Sequence, residues 1–204
     1  MPAARGRMRL GLFGGTFNPI HLGHLILAES AREQHQLDEV WFIPTGQPPH
    51  KSVRGLVDGR LRLQMVRAAV RGHAAFRASD LELRLGGISY TLRTLQWIHE
   101  RLPRAELFVI VGSDLLKVQW RGLDEIKRLA TFLVADRGVG PRASARGSAV
   151  ARWRDGRPIR MPQLEISSSM IRDRWRRGES IRYLVPDGVE RLIARHRLYR
   201  EASR

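Results

Sequence analysis

The chain has 204 residues, no cysteine and a formal net charge of +16. That length supports one sizeable core rather than two independent ones, and the lack of cysteine excludes disulfides, thiolate metal sites and a cysteine nucleophile together. No apolar run approaches the roughly 18 residues of a membrane span, and residues 1–8 are basic without the apolar core of a signal peptide.

Those first residues read as a flexible basic tail on a cytoplasmic protein with no membrane partner. Thirty-three arginines run from Arg5 to Arg204 against three lysines, Lys51, Lys117 and Lys127. Charge scattered in this way reads as a compositional bias rather than a nucleic-acid-binding stripe, although its positive field would still draw in anionic nucleotides. No nucleic-acid partner is expected, and a homo-oligomer stays open.

In chain order, Leu10 to Phe13 reads as a buried strand and Leu22 to Gln34 as a helix with apolar residues at 22, 25, 26, 28 and 31. Val40 to Ile43 is the next strand, and Gly59 to Val70 a helix with its apolar face at 61, 65, 66 and 69. A strand over Phe76 to Leu83 and a helix over Tyr90 to Arg101 follow, then strands at Leu107 to Val111 and Thr131 to Ala135. The stretch 138–156, rich in Gly, Ala, Ser and Arg, reads as a mobile loop. After it come a strand around Ile159 to Ile166, a helix from Ser168 to Arg176 closed by Gly178, and a last helix opened by Pro186 and Asp187. Strands alternating with helices predict an α/β fold: a single domain over 1–204, a Rossmann-like doubly wound parallel sheet with helices on both faces and a small C-terminal helical part. Its ligands should sit beyond the carboxyl ends of the strands.

Gly14-Gly15-Thr16-Phe17-Asn18-Pro19-Ile20-His21-Leu22-Gly23-His24 follows the first strand and enters a helix. Gly14 and Gly15 let backbone amides approach phosphate oxygens, and the helix start adds unpaired amides and a positive dipole end. His21 and His24, three residues apart, share a helical face and can donate to one anion. Taken singly, each feature could be an ordinary turn or cap; it is their ordered combination that points to a phosphate site.

The run resembles the signature of the nucleotidyltransferase superfamily related to class I aminoacyl-tRNA synthetases, with Asn18 where Asp is commoner. The resemblance implies adenylyl transfer from magnesium-bound ATP, with Thr16 and Phe17 in the ATP turn, His21 and His24 as transition-state donors, and no direct protein ligand to the metal. Asn18 is expected to act through its backbone. A second run, Ser167-Ser168-Ser169-Met170-Ile171-Arg172, puts hydroxyls at a helix start with a guanidinium one turn on. It is similar to the family's second ATP motif, so Ser167, Ser168, Ser169 and catalytic Arg172 would hold the outer phosphates.

Three further runs bear on the acceptor: Pro48-Pro49-His50-Lys51, Ser89-Tyr90-Thr91, and Gly112-Ser113-Asp114 followed by Trp120. Their order resembles the bacterial nicotinate-nucleotide adenylyltransferases of NAD biosynthesis over nearly the whole chain, including Tyr183-Leu184-Val185-Pro186. That likeness implies nicotinic acid mononucleotide as acceptor. Thr91 and backbone near Trp120 would hold its carboxylate, and Trp120 would stack on the ring. Phe17, Pro49, His50 and Lys51 would complete the acceptor site, Lys51 facing the phosphate. Gly112 and Asp114 would serve the ATP side. The rivals are a related transferase with another acceptor, such as phosphopantetheine, and a basic nucleic-acid-binding protein that lost catalysis.

Overall fold

The structure is a computed structural model that describes residues 7–47, 55–112, 120–136 and 156–200. Its elements alternate from the start: β1 (Arg9–Gly15), α1 (Leu22–Gln34), β2 (Glu39–Pro44), α2 (Gly59–Val70), β3 (Phe76–Ala78), α3 (Leu81–Leu85), α4 (Thr91–Arg101), β4 (Glu106–Val111), α5 (Leu123–Leu129), β5 (Ala130–Asp136), β6 (Arg157–Arg160), α6 (Ser168–Arg176) and α7 (Asp187–Arg195). All strand pairs are parallel, in the order β3-β2-β1-β4-β5-β6. The order reverses between β1 and β4, the switch point at which a crevice opens beyond the strand ends in doubly wound sheets.

Side-chain alternation along the strands builds two cores, one on each face. Leu10 and Leu12 of β1, with Leu107, Val109 and Val111 of β4, pack against Leu81 of α3, Leu95 and Ile98 of α4 and Ile126 of α5. Phe13, Val40, Phe42, Phe108 and Ile110 point the other way, onto Leu27 of α1, Met65 of α2, Ile171 of α6 and Val189 of α7. Ile171 and Val189 are fully buried, and at roughly 1.5–3 kcal/mol for each such side chain their burial docks the C-terminal helices on this face. No helix among the described residues is long and apolar enough to cross a membrane.

Several local expectations need correction. The strand expected over Phe76 to Leu83 ends at Ala78, because Ser79 Oγ accepts the Leu81 amide at 3.3 Å and turns the chain into α3, which closes at Gly86 with a positive φ of 64°. β6 stops at Arg160, so Met161 to Ile166 is irregular and lines the cleft instead of extending the sheet. On α1 it is Leu27, not Ile26, that joins the buried face with Ala28 and Ala31. On α2 the buried set is Leu63, Met65, Val66 and Val70 together with an arginine, Arg62. Met8, placed in the tail by sequence, packs against the core, and its carbonyl accepts the Glu106 amide at 2.8 Å. The expected loop at 138–156 lies outside the described residues except for Gly156.

Candidate active site

Gly14 and Gly15 are the last two residues of β1, at the sheet's switch point. A Cβ on Gly14 would meet nothing within 4 Å, whereas one on Gly15 would sit 2.9 Å from Phe17 Cζ. Gly14 therefore presents bare backbone to the cleft, and Gly15 makes room for an aromatic ring. Phe17 takes a left-handed φ of 46° that buries its ring to 2% exposure, edge-on to Phe13 and to His24. Its side chain thus seats His24, and what the residue can offer a nucleotide is backbone.

His21 is the N-cap of α1. Its amide donates to His24 Nδ1 at 3.2 Å, and the two rings lie 3.7 Å apart at 30°. With Nδ1 accepting, the neutral His24 ring carries its proton on Nε2 and so is a donor there. A Cβ on Gly23 would come within 3.1 Å of His21 Nδ1, so the glycine between the histidines is what lets the rings close up.

The second motif docks onto the first. Ser167 caps α6 by accepting the Met170 amide at 3.2 Å, and Ser168 Oγ donates to the Pro19 carbonyl at 2.8 Å. Arg172 Nη1 donates to the Asn18 carbonyl at 2.9 Å and Nη2 to Ser169 Oγ at 3.2 Å, while its buried Nε has no acceptor among the described residues. The Asn18 carbonyl is thereby engaged by Arg172. The Asn18 side chain does more than expected: Nδ2 donates to the Gly55 carbonyl at 3.1 Å, and Oδ1 accepts from the Val57 amide and from Tyr199.

Both motifs line one cleft of ≈ 1210 Å³, together with Thr16, Gly112, Thr91 and Trp120. Of the other lining residues, Tyr90 caps α4, Thr91 begins it, and Trp120 packs edge-on against Phe132 with its ring centroid 5.2 Å away. Ser89 Oγ accepts the Gly46 amide at 2.8 Å, holding this corner to the end of β2. Pro49, His50, Lys51 and Asp114 lie outside the described residues.

Two lining or supporting residues escaped sequence reasoning. Glu82 of α3 is 6% exposed; its Oε1 accepts from Thr94 Oγ1 at 2.8 Å, and Oε2 has no hydrogen-bond partner among the described residues. Burial pushes its carboxyl above the usual range, opposed by the Thr94 hydrogen bond, the nearby Ser89 hydroxyl and the Arg62 charge. Arg62, 1% exposed, lies beneath the cleft with its guanidinium on main-chain carbonyls. Neither position carries a local signal, because a charged residue on an otherwise apolar face reads as a solvated one. Among the described residues no three His, Asp or Glu side chains gather into a metal-binding group. A cleft walled by amides, hydroxyls and a guanidinium suits a metal that arrives on a triphosphate.

Residues 12–174 match the model of the cytidylyltransferase-like family. A protein of Shouchella clausii named "Probable nicotinate-nucleotide adenylyltransferase" is 43% identical over 193 residues, covering 94% of this chain and 96% of that protein. One of the same name from Salinibacter ruber is 42% identical, covering 95% and 98%. This chain belongs to the nicotinate-nucleotide adenylyltransferase branch of the cytidylyltransferase-like family. Among solved structures, the family fold recurs in the Plasmodium falciparum nicotinic acid mononucleotide adenylyltransferase complexed with NaAD, with a TM-score of 0.75 and 19% identity over 95% of this chain and 98% of that one.

Proposed function

We propose that the protein is a cytoplasmic enzyme transferring the adenylyl group of ATP to nicotinic acid mononucleotide, releasing pyrophosphate and forming nicotinic acid adenine dinucleotide. The observation that carries this reading is the convergence of Gly14 to His24 and Ser167 to Arg172 on one cleft that Thr91 and Trp120 also line. Family membership supports the same assignment. ATP lies with its phosphates between the Gly14 turn and the start of α6. An oxygen of the acceptor phosphate attacks the α-phosphorus, and the bond to the α,β-bridging oxygen breaks with its electron pair leaving on pyrophosphate. The acceptor phosphate is already deprotonated near neutral pH and needs no protein base.

His21 and His24 donate to oxygens on which charge grows during transfer, which favours the transition state over the ground state. Arg172 and the serines hold the outer phosphates, and magnesium bound to them supplies further charge neutralisation. Trp120 offers a face to the pyridine ring, and Thr91 a hydroxyl to its carboxylate. The test supplies ATP and magnesium with nicotinic acid mononucleotide, its amide analogue or phosphopantetheine, and measures pyrophosphate. Release should be strong with the acid and much weaker with the amide, whose binding leaves donors unpaired. Fastest release with phosphopantetheine would overturn the assignment.

A further inference from the structure

Arg62 is buried at a cost: desolvation lowers its pKa, and no carboxylate among the described residues comes within ion-pair distance. A long apolar side chain would fill the same space without that penalty. What the guanidinium supplies is directional contact with three segments. Nε donates to the Val57 carbonyl at 2.9 Å, Nη1 to the Thr16 carbonyl at 2.8 Å, and Nη2 to the Thr45 carbonyl at 2.6 Å and more weakly to Gly46 at 3.4 Å. Thr16 belongs to the nucleotide turn. Thr45 and Gly46 leave the end of β2, and Gly46 is bonded through its amide to Ser89, one residue ahead of the α4 cap.

We propose that Arg62, with Asn18 as a second arm, is a positioning residue that sets the separation of the ATP turn from the acceptor end of the cleft. This rests on the adenylyl-transfer reading above. A planar trans peptide points its N–H opposite to its C=O, so pinning the Thr16 carbonyl aims the Phe17 amide away from Arg62. The same guanidinium holds Thr45 and Gly46, and through Ser89 the start of α4. Asn18 fastens Gly55 and Val57, the segment Arg62 also grips, to the same turn. In-line attack requires reacting atoms within roughly 3–3.5 Å, and an error of about 1 Å can cost about a hundredfold in rate. A bridge between the two subsites therefore governs the reaction more than it governs binding of either substrate alone.

The experiment compares wild type, Arg62→Lys and Asn18→Ala as full chains. It measures thermal unfolding, equilibrium ATP binding without acceptor, and kcat and KM for nicotinic acid mononucleotide per folded molecule. Lysine keeps the charge but cannot reach three carbonyl groups from one rigid fork. Arg62→Lys should bind ATP within about threefold of wild type while kcat falls about a hundredfold, the loss set by misplaced reacting atoms. Asn18→Ala should show the same split with a smaller drop, and it carries the test if Arg62→Lys does not fold. Unchanged kcat in the folded variants would make Arg62 structural only and overturn the proposal, as would ATP affinity falling in step with kcat. A wild type inactive with every acceptor would sink the adenylyl-transfer reading and this one with it. An active wild type beside unaffected variants sinks this one alone.

Discussion

Tyr199 donates its hydroxyl to Asn18 Oδ1 at 3.0 Å, joining positions 181 residues apart in the chain. Both side chains are buried, and desolvation raises the tyrosine pKa, so the hydroxyl keeps its proton at any physiological pH. The end of the chain is thereby fastened to the turn that carries the nucleotide site. Tyr199→Phe should cost about 1 kcal/mol, since Oδ1 keeps the Val57 amide as a second donor. Urea unfolding of the variant checks this, and an unchanged midpoint would mean the contact contributes nothing.

Replacing His21 or His24 by alanine should lower kcat about a hundredfold or more, the usual loss for one preorganised donor at a developing charge. Pyrophosphate release at saturating substrates measures it. Turnover near that of wild type in both variants would remove the pair from catalysis.

Two glycines of β1 should fail in different ways. On Gly11 a Cβ would lie 2.8 Å from Leu37 Cδ1, 3.1 Å from Ile110 Cδ1 and 3.2 Å from Val40 Cγ2, all in the core. Gly11→Ala should therefore lose about 1–3 kcal/mol of stability through overpacking. The Gly14 Cβ would project into open space at the cleft, so Gly14→Ala should unfold like wild type but show a raised KM for ATP. Thermal unfolding and ATP titration of the two variants separate these effects.

Glu82 makes stability depend on pH. Burial raises its pKa in the folded chain above the unfolded value, so between those two values the native state binds the extra proton and stability falls as pH rises. Below the unfolded pKa both states are protonated and its contribution is at its greatest; above the folded pKa the loss is complete. Glu82→Gln keeps an oxygen for Thr94 and cannot titrate. Subtracting its unfolding free energy from that of wild type between pH 4 and pH 8 should leave a difference that moves against wild type with rising pH. A flat difference would place the charged form comfortably in the fold.

Much of the architecture was written locally. Continuous apolar runs marked the four central strands, helical spacing marked α1, α2 and α4, and start and stop residues marked α6 and α7, because periodicity and cap chemistry act within a few residues. The Gly14 to His24 and Ser167 to Arg172 runs were readable for the same reason: each is a contiguous set of donors at a helix start.

Other features depended on partners far away in sequence. Leu81 to Leu83 read as the end of a strand, and only the packing of Leu81 in the core with Leu95 and Ile98 reveals the start of α3. Asn18 seemed to matter only through its backbone until Gly55, Val57 and Tyr199 came together around its amide. Arg62 and Glu82 carried no local sign of burial, since whether a charge is solvated or enclosed is settled by the segments that fold over it. The kinds of donor at the site, and the turns that hold them, were determined by the sequence by itself. Which carbonyl groups Arg62 grips, and that the two motifs dock on each other and line one cleft, was decided by the tertiary structure, because hydrogen bonds between distant segments exist only once the sheet has set their separation.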